Sequence, residues 1–164
     1  MKKAWIIIGE SNKGKSSLIR GLTAIRDGRK EGNPNFVFIT RCDGLTFRLY
    51  PFVSALQESG TDIKKLDSIF ANKNNNPKDN IQNILVPLRY DSANGCPDGE
   101  KYVDHLIRND WEITSIVSLG EYARKWVQES GCPFTSYFPT SNEPLGNMPP
   151  NELVSQVRKN FGWM

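Results

Sequence analysis

Histidine and cysteine are scarce: the 164 residues hold one histidine, His105, and three cysteines, Cys42, Cys96 and Cys132. The cysteines are far apart, odd in number and form no C-x-x-C pair, which argues against a zinc site and for the reduced thiols of a cytoplasmic protein. His105 has no cysteine or serine partner at a recognisable spacing. It falls beside the apolar stripe of a predicted helix and reads as structural. No apolar run is long enough to span a membrane. Met1-Lys2-Lys3 resembles the start of a signal peptide, but the apolar run over 4–8 is too short for its core and passes straight into a glycine loop. Charge of neither sign dominates, with 21 Lys and Arg against 18 Asp and Glu, a net +3. That balance suits an anionic ligand. The basic residues are scattered, which leaves no nucleic-acid footprint. With 38% hydrophobic and 24% charged residues and no internal repeat, the chain reads as a single globular domain over 1–164.

What is present is an alternation of strand and helix signals, the pattern of a parallel sheet covered on both faces. A strand at 4–8 precedes a helix that carries Leu18, Ile19, Leu22 and Ile25 on one side and stops at Gly28. Two β-prone runs, 36–42 and 45–50, flank Asp43-Gly44 and predict an antiparallel hairpin. A helix follows over 61–71, with Ile63, Leu66 and Phe70 at helical spacing. Residues 72–83 form the most polar stretch, a solvated connector or a lid near the ligand. The run 84–90 reads as a strand, although Pro87 is awkward in a central one. Tyr102, Val103, Leu106 and Ile107 mark another helix, and 113–119 another buried strand. Ser118-Leu119-Gly120-Glu121 fits a capping box for a helix that buries Tyr122, Trp126 and Val127 and ends at Gly131. A strand at 134–138 and a helix over 151–161, with Leu153, Val154, Val157 and Phe161 on one side, complete the order. Trp163 either forms an interface or folds back onto the core.

The most specific signal is Gly9-Glu10-Ser11-Asn12-Lys13-Gly14-Lys15-Ser16, which fits G-x-x-x-x-G-K-[ST]. It lies between the strand at 4–8 and the helix opening at Ser16-Ser17-Leu18, where the mechanism needs it. Backbone N–H groups of such a loop and the helix dipole face a phosphate, Lys15 reaches the outer phosphates, and the Ser16 hydroxyl is placed to hold Mg²⁺. The candidate nucleotide-binding residues are therefore Gly9, Glu10, Ser11, Asn12, Lys13, Gly14, Lys15, Ser16 and Ser17, with Lys15 also a candidate catalytic residue. The alternative is a glycine-rich turn whose Lys15 is only solvated.

Over residues 4–26 the chain resembles the P-loop NTPase superfamily, and residues 9–18 look most like the first motif of ribosome-assembly GTPases. The resemblance implies an α/β fold with a P-loop NTPase-type parallel sheet of about five strands and helices on both faces, here with a β-hairpin added after the second strand. Those GTPases also carry a guanine-reading N-K-x-D motif, whose aspartate accepts two hydrogen bonds from the base. Asn72-Lys73-Asn74-Asn75 has the first two letters, lacks the aspartate and lies too early. The resemblance thus supports the phosphate site without guanine specificity, and ATP is the expected nucleotide, with GTP the alternative.

In an open α/β sheet the ligand lies outside the carboxyl ends of the strands. A second acidic group is expected there, to hold a water on Mg²⁺ or to act as a base. Asp91, after the run 84–90, is the first choice as metal-binding and catalytic residue, or it simply begins the turn Asp91-Ser92-Ala93-Asn94-Gly95. Thr40 and Asp43 follow the second strand, where small kinases hold their acceptor, although Asp43 also suits the hairpin turn. Glu121 follows the strand at 113–119, with capping as its other reading. Positive charge opposite a transferring phosphate has candidates in Lys13, Arg41, Arg48, Arg89 and Arg124. Pro139-Thr140-Ser141-Asn142 offers hydroxyls and an amide to a purine edge. Three functions fit: a Mg-ATP-dependent NTPase or nucleotide switch acting on a protein partner, a small kinase moving the γ-phosphate to a metabolite or nucleotide, and a module that holds nucleotide without turnover.

Overall fold

The structure is a computed structural model and describes residues 1–25, 36–71, 80–120, 131–137 and 151–164. It is an α/β fold around a mixed sheet. The strands are β1 (Lys2–Gly9), β2 (Val37–Thr40), β3 (Thr46–Pro51), β4 (Asn83–Leu88), β5 (Trp111–Leu119) and β6 (Phe134–Tyr137), and the helices are α1 (Lys15–Thr23), α2 (Ile63–Phe70), α3 (Gly99–Arg108) and α4 (Asn151–Phe161). The sheet order is β2-β3-β4-β1-β5-β6. Neighbours pair in parallel from β3 through β6, and β2 pairs antiparallel with β3 around Asp43-Gly44. The turn forms as its chemistry predicts: Gly44 takes φ +82°, and the Leu45 amide donates to the Asp43 carboxylate at 3.1 Å.

Burial follows the two-residue period of the strands. Ala4, Ile6 and Ile8 of β1 join Ile84, Val86 and Leu88 of β4 under Leu66 of α2 and Tyr102, Val103 and Leu106 of α3. Trp5, Ile7 and Leu85 face the other way, against Leu18, Ile19 and Leu22 of α1 and Val157 and Phe161 of α4. Helices therefore cover both faces. In β5 the alternation slips by one residue, because Ala4 pairs with Ile113 but Trp5 with Ser115. This bulge puts Ile113 and Ile116 in the first core and Val117 and Leu119 in the second.

Pro87 lies in the middle of the sheet without breaking it. β3 pairs with β4 only through Tyr50 and Pro51, opposite Ile84 and Leu85. Beyond that point the Pro87 carbonyl accepts from the Leu56 amide at 3.2 Å, on the side that β3 has already left. The N–H that proline lacks is thus not one the ladder needs.

Two details depart from expectation, and a third decides between two alternatives. Helix α1 ends at Thr23 with Ala24 in a left-handed cap at φ 55°, before Gly28. Ile107 is 43% exposed, so the buried stripe of α3 is Tyr102, Val103 and Leu106. Trp163 folds back: it is buried, its ring lies 5.4 Å from Trp5 and 4.9 Å from Phe161, and its backbone bridges to Arg41. Gly28, the stretch 72–79, the expected helix over 121–130 and residues 138–150 lie outside the described residues. Among the described residues no helix is long and apolar enough to cross a membrane.

Candidate functional site

The strand order places β1 between β4 and β5. The chain leaves β1 towards β3 on one side and leaves β5 towards β6 on the other. The crevice between their carboxyl ends is the switch point where open α/β sheets bind ligands. The loop that fits the phosphate motif emerges at that point. Its first residue, Gly9, is so close to β5 that a Cβ there would lie 3.3 Å from the Leu119 side chain and carbonyl. Its end, Gly14, is the N-cap of α1 in a left-handed conformation at φ 82° that glycine adopts without strain.

The first turn of α1 has no acidic residue, and no side chain caps it among the described residues. The other two helices whose caps are described differ. Asp62 caps α2 by accepting from the Lys65 amide, and Asp98 caps α3 by accepting from the Lys101 amide. The leading N–H groups of α1 are thus left to the loop's own concavity.

Lys15 turns back into that concavity and is only 4% exposed. Its ammonium donates to the carbonyls of Gly9 at 3.1 Å and Glu10 at 2.5 Å. The nearest carboxylate among the described residues is Glu58, whose Oε1 lies 3.7 Å from Nζ and accepts from the Ser11 hydroxyl at 3.4 Å. Burial lowers the Lys15 pKa, Glu58 opposes that shift, and the nearby Arg89 adds to it. Ser11 and Ser16 are half-buried, whereas Lys13 is exposed.

The opposite wall comes from the segments after β3 and β4. Gln57, fully buried, pairs its side-chain amide with the backbone of Arg89: its NH2 group donates to the Arg89 carbonyl at 3.0 Å, and its oxygen accepts from the Arg89 N–H at 3.1 Å. Asn94 donates to the Gln57 carbonyl at 2.9 Å. Gly99 packs so tightly under this segment that a Cβ would come within 2.4 Å of the Arg89 carbonyl oxygen. On that frame the Arg89 guanidinium holds Asp91 bidentately, at 3.0 and 2.8 Å. The bond from Arg89 keeps the Asp91 carboxyl below its usual range. Lys15 acts in the same direction, which puts Asp91 within electrostatic reach of the loop. Tyr90 hydrogen-bonds Ser118 near the end of β5, and Ser118 donates to the Gly120 carbonyl at 2.7 Å.

The structure therefore brings Lys15, Arg89 and Asp91 within electrostatic reach of one another and places Thr40, Arg41 and Asp43 elsewhere. β2 runs antiparallel, so Thr40 and Asp43 follow it at the amino ends of the parallel strands, the end away from the loop. There Asp43 pairs with Arg41 at 2.8 Å. A cavity of about 570 Å³, lined by Lys3, Trp5, Arg41, Asp43 and Phe47 among others, lies at that same end. Arg48 donates to the Asn80 carbonyl at 2.9 Å. His105 bridges α3 to α2 through Asp67 at 2.7 Å, the structural role expected of it. Arg124, Glu121 and residues 139–142 are outside the described residues. Glu58 and Gln57 are not among the residues that the sequence singles out. Nothing in Leu56-Gln57-Glu58-Ser59-Gly60 marks them locally, although their position after a β-strand was a usable cue.

No group of three or more His, Cys, Asp or Glu side chains among the described residues forms a metal cage. Mg²⁺ bound with a nucleotide needs none, because one or two protein oxygens, the phosphates and water complete its shell. Comparison with family models, curated proteins and solved structures finds no match to this chain.

Proposed function

We propose that the chain binds a Mg-nucleoside triphosphate, with ATP preferred, and works as an NTPase or nucleotide switch. The observation that carries this reading is Lys15: a buried ammonium folded over the glycine loop, at the carboxyl end of the central strand, held by loop carbonyls. A lysine that is only a solvated turn residue would extend into water. Five parallel strands with the loop at their switch point, and helices on both faces, support a P-loop NTPase sheet to which β2 adds a hairpin edge. In this reading the loop amides of residues 9–17 and the dipole of α1 receive the phosphates. Lys15 neutralises the outer ones, and Ser16 and Asp91 are the oxygen ligands offered to Mg²⁺. Bound Mg²⁺ would offset charge on the β- and γ-phosphates. Arg89, its backbone held by Gln57 and its guanidinium by Asp91, brings positive charge to the opposite wall.

Asp91→Asn tests the metal assignment. The expected result is retained nucleotide affinity with Mg²⁺-dependent phosphate release lowered on the order of 100-fold, read by calorimetry and timed phosphate assay. Full activity would leave Asp91 as the partner of Arg89 and nothing more. A second reading, transfer to a small acceptor, is favoured by the wall of Glu58, Arg89 and Asp91, where both signs of charge stand across from Lys15. A panel of nucleosides, nucleotides and sugars decides it. If γ-phosphate loss accelerates only with an acceptor, the protein is a kinase. If no phosphorylated product forms, that reading is dropped.

A further inference from the structure

We propose that Glu58 is the residue that positions the attacking nucleophile and accepts its proton. This rests on the nucleotide-binding reading and adds a catalytic group to it. Among the described residues Glu58 is the carboxylate nearest Lys15, at 3.7 Å, and it approaches from across the loop rather than from within it. Its place is fixed on both sides. The Glu58 amide donates to the Ala55 carbonyl at 2.9 Å, and the preceding Leu56 and Gln57 are tied to Pro87 and Arg89 of the neighbouring segment. Asp91 is less free for this task, because both its oxygens accept from Arg89.

A carboxylate within 4 Å of the ammonium that serves the outer phosphates stands next to the γ-phosphoryl position. Two anions cannot share that position, so in this proposal the γ-phosphate takes the Lys15 ammonium from Glu58 and the freed carboxylate turns to the nucleophile. In this proposal the carboxylate holds its nucleophile on the side of the γ-phosphorus away from the β-phosphate, the side from which an in-line nucleophile arrives. Its side chain is 32% exposed, so water reaches it. In the step, a water oxygen held by Glu58 bonds to the γ-phosphorus and its proton passes to the carboxylate. The bond from the γ-phosphorus to the β,γ-bridging oxygen breaks, and its electron pair stays on the nucleoside diphosphate. Inorganic phosphate and the diphosphate are released, and Glu58 returns its proton to solvent.

The test compares wild type with Glu58→Gln, which keeps the shape and the hydrogen bond from Ser11 but removes the base. Mg-ATP and Mg-GTP binding is measured by calorimetry, and γ-phosphate loss by single-turnover assay with and without acceptors. The expected result is affinity equal to or tighter than wild type and γ-phosphate loss slowed by about 100-fold or more, the usual scale of a general base. Turnover within threefold of wild type overturns the proposal, whether or not affinity rises, and leaves Glu58 as a counter-ion to Lys15. A wild-type protein that binds nucleotide but never loses the γ-phosphate overturns it too, while nucleotide binding stands. A wild-type protein that binds no nucleotide brings down the underlying reading instead, a result that the binding arm alone reports.

Discussion

Replacing Lys15 with alanine is expected to weaken Mg-nucleotide binding by about 100-fold or more and to leave the fold intact. In the proposed complex the ammonium makes charge-assisted contacts to the outer phosphates, each worth about 1.5–3 kcal/mol, and losing two of them already exceeds two decades of affinity. The fold survives because what Lys15 holds in the free protein is the loop itself, through the carbonyls of Gly9 and Glu10, and a carboxylate that water also reaches. The core residues of α1 are Leu18, Ile19 and Leu22, which the substitution does not touch. Calorimetry on the variant, with circular dichroism to confirm its helix content, checks both halves. Unchanged affinity in a folded variant would mean that the glycine loop is a structural turn.

Trp163→Ala costs about 3–5 kcal/mol of stability, the range for removing a large aromatic side chain from a packed site. The indole is 3% exposed and sits among Trp5, Phe47 and Phe161. The surrounding backbone joins three elements. The Met164 amide donates to Thr40 of β2 at 2.8 Å, the Cys42 amide donates to Gly162 at 2.9 Å, and Arg158 donates to the carbonyls of Met164 and Leu22 at 2.8 and 2.9 Å. The last residues therefore pin the hairpin edge to α4 and α1. Urea unfolding of the variant reads the effect as a lower midpoint. A loss below about 1 kcal/mol would show that the site collapses to fill the gap, and that the backbone contacts alone hold the hairpin.

The parts that were legible in the sequence are those that local chemistry decides. The β1–loop–α1 unit announces itself because the apolar run, the glycines and Lys15 lie within a few residues of one another. Asp43-Gly44 specifies its turn for the same reason. What the turn implies was harder to see. An antiparallel β2 carries Thr40 and Asp43 to the wrong end of the sheet, and that is a matter of topology rather than of residue type. Pro87 looked out of place because a run of seven residues does not show where its neighbouring strand stops. Glu58 depends on pairing over long range: its bond from Ser11 spans 47 positions, and only the folded sheet brings the two together. The sequence leaves Trp163 open between two roles for the same reason, since its ring partners come from β1, β3 and α4.

The most direct measurement is a calorimetric titration of the purified chain with Mg-ATP and Mg-GTP. Nucleotide binding at the loop predicts saturable one-to-one binding, stronger for ATP, because no N-K-x-D motif is present to read guanine. A flat titration with both nucleotides up to millimolar concentration would contradict it, and would leave the buried Lys15 as a brace for its own loop.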